Sequence, residues 1–279
     1  MGNGEPRMGA SAEEGGTRVR LGSGHELFVH DRGGGHAVLL LHGVGCGADD
    51  WIGPSQHFRG QFRVIRTDMR GHGRSGSPGG AWRLADLIGD LVAILDRLGV
   101  ARAHVAGFSM GGLLAQGLAL EHPGRVEKLA IIAASSGRSP EQQAQVEERL
   151  AFIRANPPGV YFDTYAAKRW FTAAFRESHP EIVAASRRTV AAADPAGYAK
   201  AYEVLVRNDL GPRLHAITHK TLVLTAENDL GAGPKTARDI AAQIRGSHLI
   251  ILPRLRHHIL LEAPELVGGI LREFFSDGD

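Results

Sequence analysis

Three side-chain types in this chain could perform acyl-transfer chemistry if folding brought them together: a serine, a histidine and an acid. Ser109 is the centre of Gly107-Phe108-Ser109-Met110-Gly111, a G-x-S-x-G motif that needs a strand before it and a helix after it. Both are legible. Ala103 to Phe108 is too short for a stable helix and apolar enough for a buried parallel strand, while Leu113, Leu114, Gly117, Leu118 and Ala119 recur at helical spacing. A serine on that strand-to-helix turn needs strained backbone of positive φ, and glycine neighbours let the turn close. Helix amides behind it supply unpaired N–H groups and a positive dipole end where negative charge would develop. The bland alternative is an incidental serine in a Gly-rich turn, since short motifs also match by accident.

A serine hydroxyl is a poor nucleophile until a base accepts its proton, and an imidazole of pKa near 6.5 does so at neutral pH. An acid must then hold the second ring nitrogen protonated and stabilise the imidazolium that forms. The candidates lie downstream, in the order nucleophile, acid, histidine known for one class of triad. Asp229 follows the strand-like Leu222-Val223-Leu224-Thr225 and precedes a helical pattern, so its carboxylate emerges at the sheet edge that carries Ser109. Glu227 is its rival; counting four residues from the strand end favours Asp229. Two adjacent histidines, His257 and His258, compete for the role of base, and their position alone leaves both open.

The elements that must hold these groups alternate. Residues 17–21 and 26–30 read as an edge hairpin, and residues 37–41 as a strand covered on both faces that ends in His42-Gly43-Val44-Gly45. A helix at 50–58, a strand at 62–67, a polar loop at 68–75, a helix at 84–98 with one apolar stripe, and a strand at 126–133 follow. Repeated strand-helix-strand order predicts a parallel sheet with right-handed crossovers and sites at the carboxyl ends of its strands. Between 138 and 211 the pattern turns wholly helical, at 141–156, 161–175, 180–193 and 195–207, broken by prolines. The sheet resumes with strands at 221–225 and 248–252 and helices at 234–244 and 264–275. The expected organisation is a tail at 1–16, an α/β core at 17–137 and 212–279, and a helical cap insertion at 138–211. Aromatic residues of the insertion, Trp170, Phe171, Phe175, Tyr198 and Tyr202, read first as core and docking surface and more sharply as the roof of a pocket.

Composition narrows the function classes. A net charge of +2 with 22% charged residues in 279 implies neither nucleic acid nor an anionic membrane as partner. No apolar run approaches the roughly 18–20 residues needed to span a bilayer. The single cysteine, Cys46, excludes an internal disulfide framework and suits a reducing, cytoplasmic compartment; a lone cysteine usually packs, though one near a site can react. The fourteen histidines form no H-E-x-x-H spacing, so neither a metal nor another cofactor is expected. A homodimer stays open.

The chain resembles the α/β-hydrolase superfamily from about residue 17 to 275, and within it is similar to the 3-oxoadipate enol-lactone hydrolase group. His42-Gly43, the loop from Asp68 to Ser75, Gly107 to Gly112, Arg169-Trp170-Phe171-Thr172, Gly197-Tyr198, and His257 followed by Glu262-Ala263-Pro264-Glu265 carry the resemblance. The family's histidine lies five positions before that glutamate, which selects His257. Arg256 and Ala226 stand where the family usually has glycine, and the loop 230–234 also departs, which bears on the substrate more than on the chemistry. The resemblance implies an α/β-hydrolase fold and a serine hydrolase with the triad Ser109, Asp229 and His257, acting on a small ester or lactone through an acyl-enzyme. The backbone amides of Val44 and Met110 would form the oxyanion hole. It also implies a substrate carboxylate, with Arg169, Arg207 or Arg138 as its partner and Trp170, Phe171 and Tyr198 as walls. Carbon–carbon bond hydrolysis of ring-cleavage products, or a triad-bearing ligand receptor, are the alternatives.

Overall fold

A computed structural model describes residues 15–22 and 24–278; the expected tail up to position 14, Ser23 in the first hairpin and the last residue lie outside the described residues. One sheet contains β1 (Thr17–Arg20), β2 (Glu26–Arg32), β3 (His36–Leu41), β4 (Phe62–Asp68), β5 (Ala103–Phe108), β6 (Val126–Ile132), β7 (Lys220–Ala226) and β8 (His248–Leu252). Their spatial order is β1-β2-β4-β3-β5-β6-β7-β8. The first two pairings are antiparallel and all later ones parallel, as the alternating pattern predicts. Helices α1 (Ile52–Ser55), α2 (Leu84–Arg97) and α3 (Met110–Glu121) alternate with the first strands. Between β6 and β7 lie α4 (Pro140–Ala155), α5 (Pro158–Tyr161), α6 (Ala167–Trp170), α7 (Ala173–Ser178), α8 (Pro180–Ala191) and α9 (Pro195–Arg207). The chain closes with α10 (Pro234–Gln243), α11 (Ile259–Glu262) and α12 (Pro264–Ser276). Among the described residues no helix is long and apolar enough to cross a membrane.

Helices cover both faces of the sheet, and β5 shows why its sequence reads as an unbroken apolar run: every residue of it is buried. Side chains alternate between faces along a strand. Gly107 faces α3, where an added Cβ would sit 2.0 Å from the Gly111 carbonyl oxygen. His104, on the opposite face, stacks on Phe275 of α12 with ring centroids 4.9 Å apart. Helix α3 is buried from Met110 to Ala119, which explains why its sequence is apolar all round rather than striped.

Two expected helices are broken. The stretch 50–58 folds as three short turns, 48–51, 52–55 and 56–58, since Gly53 and Pro54 at its centre are the two weakest helix formers. The stretch 161–175 widens to a π-turn over Phe162–Ala166 and stops at Phe171, which is extended at φ −121° and ψ 142°. Thr172 then begins α7 as its N-cap, its hydroxyl accepting the Phe175 N–H at 3.2 Å.

A few polar clamps close the neck of the helical segment and tie it to the rest of the chain. The Glu262 carboxylate accepts the Thr172 N–H at 2.7 Å and the Thr172 hydroxyl at 2.9 Å. Asp209 accepts the amides of Gly137 and Arg138 at 2.7 and 2.8 Å. The Arg138 guanidinium donates to the carbonyls of Leu205, Val206 and Asn208, filling acceptors that the end of α9 leaves open.

Candidate active site

The elbow is built by steric necessity. Ser109 adopts φ 55° and ψ −114°, a conformation costing a non-glycine residue about 1–3 kcal/mol that persists only where its surroundings over-determine it. Here they do. Its N–H donates to Ile132 of β6 at 2.8 Å and its carbonyl accepts from Gly112 at 2.9 Å. A Cβ at Gly111 would meet the Leu41 carbonyl oxygen at 2.3 Å, and one at Gly112 would meet the Ala134 Cβ at 2.4 Å. The glycines thus let α3 press against the ends of β3, β5 and β6 and push the serine out of the sheet.

Strand ends bring the other groups to the same edge. His257 Nε2 lies 3.1 Å from Ser109 Oγ and its Nδ1 lies 2.7 Å from Asp229 Oδ2. Asp229 Oδ1 accepts the N–H groups of Gly231 at 2.8 Å and Ala232 at 3.0 Å. Burial pushes the Asp229 carboxyl up, but the His257 charge and hydrogen bond, with those two amides, outweigh it and hold the group below the usual carboxylate range. Glu227, the rival acid, instead accepts the Arg254 N–H at 2.8 Å on the exposed side of its loop. His258 turns away from Ser109: its ring is stacked on Phe171, 5.5 Å and 7° apart, and its N–H donates to the Trp170 carbonyl at 2.9 Å. Arg256 is tied down by Glu262, which accepts its N–H at 2.7 Å, while its guanidinium donates to the Lys168 carbonyl.

Opposite the histidine, His42 shapes the turn after β3. Its Nδ1 is 2.7 Å from the Gly43 carbonyl and its Nε2 accepts the Met69 N–H at 2.9 Å, which defines a neutral ring protonated on Nδ1. Burial lowers its pKa and keeps it so. Among the described residues the amides of Val44 and Met110 have no hydrogen-bond partner; Val44 lines the cavity above Ser109 and Met110 begins α3. Cys46 also lines that cavity, but burial, reinforced by Asp50, pushes its thiol well up, so it stays protonated and unreactive. Cys46, Asp50 and His258 are the metal-capable group among the described residues, their donor atoms within 4.8 Å of one another. As they stand, Cys46 Sγ is 3.5 Å and Asp50 Oδ2 3.6 Å from His258 Nε2.

The cavity measures about 100 Å³, and its far wall comes from the helical segment. Trp170, Arg169 and Tyr198 line it, as does Tyr202. Three other residues expected at the pocket, Phe171, Arg138 and Arg207, do not line it. Phe171 is fully buried behind the wall, between His258 and Phe175. Arg138 is spent on the α9 carbonyls. Arg207 stands outside on the surface beside Glu147 and Glu203, 3.8 Å from each. Sequence reasoning missed Arg149 and Tyr161, which both line the cavity. Arg149 follows Glu147-Glu148 in a largely polar helix, a context that reads as solvated surface, and no local signal marks its inward face.

The chain is similar to known proteins of one family. The family described as alpha/beta hydrolase fold matches residues 36–264. The chain is 34% identical over 193 residues to 3-oxoadipate enol-lactonase 2 of Acinetobacter baylyi, covering 69% of this chain and 71% of that one. It is 25% identical to (E)-2-((N-methylformamido)methylene)succinate hydrolase of the same organism, covering 92% and 97%. The crystal structure of an enol-lactonase from Burkholderia xenovorans superposes with a TM-score of 0.87 at 28% identity, covering 94% of this chain and all of the other. With a match that spans most of the chain and the sheet order and elbow described above, this protein belongs to the alpha/beta hydrolase family.

Proposed function

We propose that this protein is a cofactor-independent serine hydrolase that cleaves a small ester or lactone through an acyl-enzyme. The observation that carries the reading is the continuous chain from Ser109 Oγ through the His257 ring to the Asp229 carboxylate, at 3.1 and 2.7 Å. In the first half-reaction Ser109 Oγ bonds to the substrate carbonyl carbon while its proton passes to His257 Nε2. The carbonyl oxygen takes the negative charge and is met by the Val44 and Met110 amides. Collapse breaks the bond to the leaving oxygen, which receives the proton from His257. In a lactone that oxygen remains tethered to the acyl group. Water then adds to the acyl carbon, its proton going to His257, and the acid departs as Ser109 regains a proton. Asp229 keeps Nδ1 protonated and stabilises the imidazolium in both halves. Removing one oxyanion donor costs about 3–4 kcal/mol of transition-state stabilisation in comparable sites.

The similarity to two proteins named as enol-lactonases supports a lactone over a linear ester. The test is turnover of p-nitrophenyl acetate, a panel of small lactones and a panel of vinylogous diketones, with product analysis. Ester and lactone hydrolysis is expected. Cleavage of the diketones alone would replace the reading with carbon–carbon bond hydrolysis, and no turnover at all would leave a receptor.

A further inference from the structure

Two guanidinium groups reach the cavity from separate cap helices, and among the described residues neither forms a salt bridge with a carboxylate; Asp229 is the acid whose charge acts on Arg169. Arg149 of α4 and Arg169 of α6 both line the space above Ser109. Arg149 Nε donates to the Tyr202 hydroxyl at 2.9 Å, which sets the plane of its fork. Among the described residues no acceptor meets its terminal N–H groups, and none meets the Arg169 guanidinium. Arg169 passes close over Gly231: a Cβ there would lie 2.8 Å from its Nη2. The acid on this wall, Asp229, is already engaged by His257 and two backbone amides.

Other arginines of the cap behave differently. Arg154 pairs with Glu203 at 2.8 Å and Arg187 with Asp163 at 2.7 Å, both at the surface. These two exposed arginines have counter-ions within salt-bridge distance, whereas the half-buried guanidinium groups of Arg149 and Arg169 have none among the described residues. A half-buried cation without a partner is unfavourable, and two of them in one small cavity repel each other. Such an arrangement is stable in use when the ligand brings the opposite charge. The planar fork of arginine matches a carboxylate by two parallel hydrogen bonds.

We infer that the substrate carries two carboxylate groups besides its scissile carbonyl, one held by Arg149 and the other by Arg169. This rests on the hydrolase reading above for the place of the scissile bond, and goes beyond it by fixing the charge of the acyl group. Tyr202 is then a positioning residue, acting through Arg149. The aromatic rings of Tyr161, Trp170 and Tyr198 wall the carbon chain between the charged ends.

Binding and turnover test the inference separately. In the Ser109→Ala protein, calorimetry should find glutarate, with two carboxylates, bound at least tenfold more tightly than butyrate, with one, and the difference should shrink as salt rises. Arg149→Met and Arg169→Met should each abolish that difference; Arg149→Gln and Arg169→Gln provide the same test with a polar head should either methionine variant fail to fold. Equal affinity for the two acids, or a preference that survives both substitutions, overturns the inference. In the unmodified protein, kcat/KM should rise across the p-nitrophenyl monoesters of acetic, glutaric and tricarballylic acids, which carry zero, one and two free carboxylates. Hydrolysis of all three without preference defeats the inference alone. Hydrolysis of none, with glutarate still preferred in binding, defeats the hydrolase reading and upholds recognition of two charges.

Discussion

The two walls of the active site are built by different means. On the sheet side, Ser109, Asp229 and His257 each sit within five residues of a strand end, and strand register with backbone contacts leaves them little freedom. On the cap side, Arg149, Arg169, Trp170 and Tyr198 come from three helices joined by proline-marked breaks. Hydrogen bonds that join that wall to the rest of the chain include those of Glu262 with Thr172, of His258 with Trp170, of Ser77 with Asp194 and of Gly137 with Asp209. If the protein is the hydrolase proposed above, the difference teaches where this fold keeps chemistry and where it keeps selectivity. On the proposed function, bond-breaking groups need geometry fixed to fractions of an ångström and are held just beyond the ends of buried strands, whereas recognition groups are carried on a module that can be re-equipped without disturbing the sheet.

If that division holds, the largest effect comes from the sheet wall. Ser109→Ala should lower kcat by about 10³-fold or more with an unchanged melting temperature, because attack and proton transfer fail together; a variant keeping a tenth of the activity would remove the serine from its role. His257→Ala should be nearly as damaging. Its neighbour makes the sharper comparison: His258→Ala deletes a buried ring stacked on Phe171 and should cost about 2–4 kcal/mol of stability while kcat falls by less than about tenfold. The reverse ranking of the two histidines in a steady-state assay would move the base by one residue.

The clamp between the walls is expected to give a middle-sized effect. Glu262→Ala removes acceptors for Thr172 and for the Arg256 amide, charge-assisted bonds of about 1.5–3 kcal/mol each. We expect kcat/KM to fall roughly tenfold and amide exchange in residues 162–178 to quicken; unchanged exchange there would mean that the cap is held by apolar packing alone.

The smallest effect is a pH dependence confined to the sheet side. His72, buried in the loop after β4, has its pKa lowered to about 3, first by burial and then by the neighbouring His42. The unfolded chain takes that proton near pH 6.5 and the folded chain near 3, so between those values the unfolded state binds more protons and stability falls as the pH drops. His72→Asn should therefore lose less melting temperature between pH 7 and pH 5 than the parent protein. Parallel melting curves for the two would show that His72 does not contribute.

The sequence by itself determined the elbow, the alternation of strands and helices, and the place of the acid, because each is a local property. A Cβ at Gly107 collides with the Gly111 carbonyl only four residues on, and a buried strand announces itself within six residues. The choice of Asp229 over Glu227 followed from counting beyond a strand end. The choice between His257 and His258 did not. Adjacent residues in a turn point apart, and which one meets Ser109 depends on Trp170 and Phe171, nearly ninety positions earlier in the chain, holding His258 by its amide and its ring. Tertiary structure alone likewise decided that Arg149 and Arg169 face the cavity while Arg138 and Arg207 do not. A polar cap helix can turn any of several faces inward, and only its packing against distant helices selects one.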